Sequence, residues 1–151
     1  MAPSERWEMN FGMSKPVKLS KSYKPTAREK YMSPKQLEYF RVKLTDWRES
    51  LVEESQQTLE HMRDAQQEGG DDAERASRET EISFELRTRD RYRKLLRKID
   101  EALARIEDGE YGYCEETGDP IGIGRLEARP IATLSVEAQE RREKLERQYG
   151  D

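Results

Sequence analysis

Two stretches of regularly spaced apolar residues, separated by Gly69 and Gly70, constrain the fold of this chain more than any other feature. In the first stretch five residues lie alternately three and four apart: Leu37, Phe40, Leu44, Trp47 and Leu51. The pattern continues more weakly through Thr58, Met62 and Ala65. The second stretch contains Ala76, Leu86, Leu96, Ile99, Leu103 and Ile106. This spacing is typical of a coiled-coil seam. Because the arms are nearly equal and the connection is short, they predict an antiparallel helical hairpin rather than a parallel dimer.

The ends of both predicted helices carry recognisable signals. Ser33 can cap the first helix, with Gln36 completing a capping box, and Asp71 with Glu74 repeats that pattern at the start of the second helix. Gly109 is expected to end the second helix. Each arm has roughly 35 residues, so the hairpin should be about 50 Å long.

The composition favours the same architecture. Apolar residues make up 33% of the chain and charged residues 40%, with a mean hydropathy of -1.14. So little apolar material indicates either disorder or a slender hairpin, and the periodicity favours the hairpin.

The charge and the absence of long apolar runs exclude several classes of protein. A net charge of -4 argues against dedicated, sequence-specific DNA binding. No signal peptide or membrane-spanning run is recognised, and the single cysteine, Cys114, allows no intramolecular disulfide. We therefore expect a cytoplasmic protein.

The predicted fold class is mainly α: a long antiparallel coiled-coil hairpin with a small degenerate zinc-ribbon-like domain and a C-terminal helix. Ser135 is expected to cap that helix, which should run from about Val136 to Gln148. The expected divisions are a partly ordered arm at 1–32 packing on the globular domain, the hairpin at 33–108 with its tip at 69–76, the degenerate zinc-finger segment at 109–134, and the helix at 135–151.

The stretch around Cys114 resembles a zinc ribbon that lacks most of its ligands. Such ribbons hold zinc with two pairs of cysteines, each pair separated by two residues. Here Thr117 stands where the partner of Cys114 would be in the first pair, and Ser135 and Ala138 stand where the second pair would be. Hydroxyl groups are poor zinc ligands and alanine is none, so we predict no structural zinc and no other cofactor. Cys114 is then a packing residue, with a reactive thiol as the lesser alternative.

Without zinc, packing must hold the ribbon together. The apolar residues available for this are Tyr113, Ile121, Ile123, Leu126, Ile131, Leu134 and Val136. Each contributes about 1.5–3 kcal/mol when fully buried, so several together offset most of the missing ligation.

Four segments carry a resemblance to a known family. They are DDAERA (71–76), ISFELRTRDRYRKL (82–95), IEDGEYGYCE (106–115) and IGIGRLEARP (121–130). With them the chain resembles the DksA family, bacterial transcription factors that enter the secondary channel of RNA polymerase. The resemblance covers roughly residues 30–150 and extends to zinc-independent members of the family, which keep the fold but not the cysteines.

The resemblance implies two sets of functional residues. The tip positions that approach the polymerase active-site region are Asp71, Glu74 and Ala76, although Asp71 and Glu74 also suit a capping box. The positions that contact guanosine tetraphosphate (ppGpp), the co-regulator of the family, are Leu95, Lys98 and Arg129. A further basic residue usual in the family falls on Gln139, which predicts weaker synergy with the nucleotide.

The resemblance implies a non-enzymatic, monomeric regulator that acts with ppGpp on RNA polymerase at promoters such as those of the stringent response. Two alternatives stay open. A transcript-cleavage factor would use the acidic tip to help hold a metal ion for RNA hydrolysis. A coiled-coil scaffold would form dimers through its seam and ignore the tip.

Overall fold

The computed structural model describes residues 18–66 and 72–149, and the side chains of 18–64 and 74–149. In these ranges the chain forms four helices: α1 Pro34–Gln66, α2 Asp72–Asp108, α3 Ile123–Ala128 and α4 Val136–Tyr149. At 1.5 Å per residue, α1 and α2 are about 50 and 55 Å long. The mainly helical fold predicted from the periodicity is confirmed. The glycine pair, Asp71 and the side chain of Ala65 lie outside the described residues.

The chain divides into two compact units, and the division cuts through both long helices. Thr45–Asp100 forms the hairpin unit, and the two ends of the chain form the globular unit, of which residues 18–44 and 101–149 are described. The boundary differs from the predicted one, which assigned all of residues 33–108 to the hairpin. The reason is that the first turns of α1 and the last turns of α2 contribute core residues to the globular unit, such as Phe40 and Ile106.

In the hairpin unit the two helices run antiparallel, as predicted. Polar contacts pair them along their length. Arg48 bonds Asp100 at 2.7 Å, Thr58 lies 3.4 Å from the Tyr92 hydroxyl, and Arg63 lies 3.8 Å from Glu85. Residue numbers rise along one helix as they fall along the other.

The seam of α2 differs from the prediction at its distal end. Leu86 was predicted to lie in the seam but is 60% exposed, whereas its neighbour Glu85 is only 8% exposed. Counting back from the buried Ile99 by threes and fours leads to Tyr92 and Glu85, not to Leu86. Ala76 is exposed as well. Hydrophobicity alone favours Leu86 for the seam, but the spacing from Ile99 places Glu85 there.

Glu85 lies in a charged layer of the hairpin rather than an apolar one. Its carboxylate accepts a hydrogen bond from Arg89 at 2.7 Å and pairs with Arg63 across the hairpin. Two helical turns further along α2, the Tyr92 hydroxyl donates a hydrogen bond to the Glu54 carboxylate at 3.5 Å. The distal seam therefore contains buried polar groups.

The helix caps follow the sequence signals with one difference. Ser33 caps α1, because its hydroxyl accepts the N–H of Gln36 at 3.3 Å. Gln36 does not bond the Ser33 N–H as a capping box requires; its side-chain oxygen accepts the N–H of Met32 at 2.7 Å, and its amide nitrogen donates to the Thr26 carbonyl. This buried glutamine thereby ties residues 26–32 to the start of α1.

The end of α2 is a Schellman motif centred on Gly109. Its N–H bonds the Ile106 carbonyl at 3.2 Å, and the Glu110 N–H bonds the Arg105 carbonyl at 2.9 Å. Gly109 has φ of 77°, which a glycine adopts without strain. The predicted stop at this residue is confirmed.

Candidate functional site

The four positions of the degenerate zinc site come together in the globular unit. The Cys114 sulfur accepts hydrogen bonds from the Thr117 hydroxyl and from the backbone N–H of Ser135, and the Ser135 hydroxyl in turn accepts the Ala138 N–H at 3.2 Å. Ala138 is fully buried. The ligand positions of the ribbon are thus kept, but hydrogen bonds connect them.

These side chains do not fit a tetrahedral zinc ion. Ser135 uses its hydroxyl to cap α4, and the Thr117 hydroxyl also accepts the Asp119 N–H at 3.2 Å. A metal would have to compete with both bonds for weak ligands. Among the described side chains, those of residues 18–64 and 74–149, no three from His, Cys, Asp or Glu gather in a group that could hold a metal.

Hydrogen-bond donors surround the Cys114 sulfur at the position where a zinc ribbon has its metal ion. Burial raises the pKa of the thiol, but bonds from the Thr117 hydroxyl and from backbone N–H groups of Ser135, Thr117 and Glu116 outweigh it, so the pKa falls from 9.0 to about 6. Donors of this kind stabilise the thiolate. Cys114 is only 3% exposed, which limits its access to reagents in solution.

Tyr31 holds the ribbon from outside. Its hydroxyl donates to the Gly112 carbonyl at 2.6 Å and accepts the Gly122 N–H at 2.9 Å, so one group bridges the two ends of the knuckle. The Tyr31 ring packs edge-on against Tyr113 with centroids 5.6 Å apart. A side chain at Gly112 would meet Met32 at 2.8 Å, so this close approach requires glycine. Sequence reasoning missed Tyr31 because its partners lie about eighty residues away.

Packing inside the globular unit follows the predicted residues in part. Ile121, Leu126 and Leu134 are buried, whereas Val136 is 50% exposed, so its predicted packing role is wrong. Val136 is the first residue of α4, and the helix buries Ala138 instead. Further core side chains are those of Tyr111, Cys114, Ala132 and Phe40.

Of the predicted tip residues, the structure describes two. Glu74 and Ala76 are exposed in the first turns of α2, and Asp71 lies outside the described residues. The Glu74 carbonyl accepts a bond from Arg78 Nε at 3.4 Å. The capping box proposed for Asp71 and Glu74 stays a prediction.

The predicted nucleotide-contacting residues are distributed over both units. Leu95 is half-buried and Lys98 exposed on α2 of the hairpin unit. Arg129 is exposed in the globular unit, directly after α3. Gln139, which stands where a basic residue was expected, donates to Glu143 at 3.0 Å.

Arg129 ends a segment with many anchors. Its backbone N–H bonds the Arg125 carbonyl at 2.7 Å, and the next carbonyl, of Pro130, accepts the buried Tyr111 hydroxyl at 2.8 Å. Glu127 accepts bonds from Tyr39 and, at 2.7 Å, from Lys43. The sequence signal for these anchors was the match at IGIGRLEARP, which singled out Arg129 but not Glu127.

None of the helices in the described part of the chain has the length and apolar character needed to cross a membrane.

Both the hairpin region and the ribbon region of the chain match models of known protein families. Residues 36–106 match the family model described as DnaK suppressor protein DksA, N-terminal domain, and residues 109–144 match the prokaryotic dksA/traR C4-type zinc finger. The chain is 57% identical over 129 residues to the RNA polymerase-binding transcription factor DksA of Caulobacter vibrioides, covering 85% of this chain and 91% of that protein.

Two further relatives agree. The factor of the same name from Escherichia coli K12 is 44% identical over 128 residues, covering 85% of each chain. The solved structure of transcription factor DksA2 from Pseudomonas aeruginosa superposes with a TM-score of 0.72 at 45% identity, covering 82% of this chain and 94% of that one. The chain belongs to the DksA family.

Proposed function

We propose that this protein is an RNA polymerase-binding regulator of transcription that enters the secondary channel with its hairpin tip and modulates initiation together with ppGpp. The observation that carries the proposal is family membership over both regions, with relatives named RNA polymerase-binding transcription factors. RNA polymerase is the partner, which makes the protein a cytoplasmic one, and a monomer suffices because the two hairpin helices pair with each other within one chain.

The role of the tip rests on Asp71, Glu74 and Ala76. Glu74 and Ala76 are exposed on α2, and a slender pair of helices can carry such side chains into a narrow channel. The action proposed is stoichiometric and non-enzymatic.

The test of the tip compares the parent with Asp71→Asn, which removes one charge but keeps the shape of the side chain. We expect the variant to bind polymerase and to unfold like the parent, yet to lose the effect on a ribosomal promoter. Equal regulation by both proteins would contradict the tip role. In the same preparation, cleavage of RNA in backtracked complexes would favour the transcript-cleavage alternative.

Nucleotide synergy is proposed through Leu95, Lys98 and Arg129. Arginine binds phosphate as a planar fork and lysine as a point charge. Transcription assays with polymerase, this protein and increasing ppGpp should show a response that Arg129→Ala weakens. An identical result with and without the nucleotide would remove this part of the function.

We also propose that the protein works without structural zinc, because the four ligand positions hold a thiol, two engaged hydroxyls and a methyl group. Elemental analysis should find far less than one zinc per chain. Stoichiometric zinc that survives dialysis would overturn the proposal.

A further inference from the structure

The short helix α3 is held by an ion pair that crosses the globular unit. Glu127 Oε1 accepts a hydrogen bond from Lys43 Nζ at 2.7 Å and a second one from the Tyr39 hydroxyl. The Lys43 ammonium also lies over the Tyr39 ring, 5.8 Å from its centroid. Tyr39 and Lys43 lie one turn apart on α1, so together they fix Glu127 from one helix face.

The protonation states suit this arrangement. Burial and the hydrogen bond to Glu127 raise the pKa of Tyr39 to about 12, so the phenol remains a donor. Burial raises the pKa of Glu127, but the bonds from Lys43 and Tyr39 outweigh it and lower the pKa overall, with Lys24 contributing. Glu127 is therefore a carboxylate at neutral pH, surrounded by positive charge.

Glu127 lies in the last turn of α3, two residues before Arg129, which directly follows the helix. The segment is also anchored after Arg129, by Tyr111 on the Pro130 carbonyl, and before it, by Arg125 Nε on the Leu134 carbonyl at 3.0 Å. Leu126, which is part of α3, is fully buried. The exposed Arg129 side chain therefore extends from backbone that hydrogen bonds hold on both sides.

We propose that Glu127, held by Tyr39 and Lys43, is a positioning residue that sets the direction in which Arg129 presents its guanidinium to the phosphates of ppGpp. The inference rests on the proposed function and deepens it. A guanidinium binds phosphate with a fixed fork geometry, so affinity depends on its direction. Holding the group in its bound direction beforehand lowers the cost of binding.

Lys43 has a second effect on the same ligand. A carboxylate two residues from a phosphate-binding arginine would repel the ligand if it were not neutralised. Lys43 neutralises it, so removing Lys43 alone should be more harmful than removing Lys43 and the charge of Glu127 together.

The experiment uses the full-length protein with RNA polymerase and measures transcription as ppGpp is increased. Glu127→Gln and Lys43→Met should each raise the nucleotide concentration for half-maximal response by about three- to tenfold, with the same response at saturation. Lys43→Arg, which keeps the charge, should stay close to the parent. The double variant should be less impaired than Lys43→Met.

Matched controls come from the neighbouring ion pair on α1. Glu38 and Arg41 bond each other at 2.5 and 2.8 Å within α1, and their side chains are 13% and 44% exposed, compared with 40% for Glu127 and 34% for Lys43. Glu38→Gln and Arg41→Met remove the same charges from the same unit. They should leave the half-maximal concentration unchanged.

The outcomes separate the inference from the function on which it rests. If the parent responds to ppGpp and Arg129→Ala does not, but Glu127→Gln and Lys43→Met keep the parent's half-maximal concentration, the positioning role is wrong and the nucleotide function stands. Variants that lose thermal stability and polymerase affinity at an unchanged half-maximal concentration would show a merely structural role. A parent without any response overturns both.

Discussion

The globular unit and the hairpin unit are built from the same two long helices but are stabilised differently. In the globular unit the helix ends bury Phe40, Leu44, Ala102 and Ile106, and Tyr111 packs on Phe40 with ring centroids 5.7 Å apart. In the hairpin unit, Tyr92 and Glu85 are buried at seam positions that coiled coils usually fill with apolar residues.

The difference shows where a chain of low apolar content uses its apolar side chains. They are concentrated around the ribbon, where zinc is not expected to contribute. The distal hairpin buries fewer apolar side chains and includes the charged layer at Glu85, whose net contribution to stability is expected to be small. The two units should therefore respond differently to substitution, and the following predictions test this.

The largest expected effect is loss of Phe40 in the globular core. Phe40→Ala leaves a cavity in a site with no exposure and should lower the free energy of unfolding by about 3–5 kcal/mol. Val42→Ala, on the exposed side of the same helix, should change it by less than about 0.5 kcal/mol. Chemical denaturation measures both, and equal effects would mean that the core is not where the stability lies.

A smaller effect is expected for Tyr31→Phe. The variant keeps the ring but loses the bonds to Gly112 and Gly122, leaving part-buried groups without partners, at a cost of about 1–3 kcal/mol. Tyr149→Phe, at the exposed end of α4, serves as the control. If both variants unfold alike, the bridge by Tyr31 does not hold the ribbon.

In the hairpin unit, Glu85→Ala should cost about 1–2 kcal/mol, because Arg89 then keeps its charge near the seam with less compensation. The Arg89 side chain is 36% exposed, so hydration limits the cost. The double variant Glu85→Leu with Arg89→Leu should recover the loss or exceed the parent. Hydrogen exchange of residues 54–66 and 80–92 measures the effect locally; a double variant less stable than Glu85→Ala would show that the charged layer itself stabilises the hairpin.

The stability of the fold is also expected to depend on pH, through the thiol of Cys114. The pKa of Cys114 is lower in the folded state, about 6, than the ordinary value of 9.0, so the unfolded chain binds more protons between these values. The contribution of the Cys114 thiolate to the free energy of unfolding is complete above pH 9, declines as the pH falls, and is lost below about 6. Unfolding of the parent between pH 6 and 9 should thus become harder with rising pH, and Cys114→Ala should reduce this slope. Identical slopes would mean that the thiol is not perturbed.

Periodicity in the sequence identifies the seam residues at the start of α1 but not those near Leu86. From Leu37 to Leu51 the apolar residues recur without ambiguity, and the structure buries Leu37, Phe40, Leu44 and Leu51. Further along the hairpin, periodicity alone does not decide whether Leu86 or its neighbour Glu85 occupies the seam position. Counted from the buried Ile99 and Tyr92, the register places Glu85 in the seam, and the hydrophobicity of single residues does not reveal this.

The amino-acid sequence by itself determined the helical hairpin, the caps at Ser33 and Ser135, the stop at Gly109 and the loss of the cysteine ligands. These depend on neighbours within a few residues, where propensity, capping and spacing act. Only the tertiary structure decided that Tyr31 bridges Gly112 and Gly122, that hydrogen bonds surround Cys114 and that Lys43 and Tyr39 hold Glu127. Those contacts join residues up to about ninety positions apart, and their partners are selected by the packing of the whole unit rather than by any local pattern.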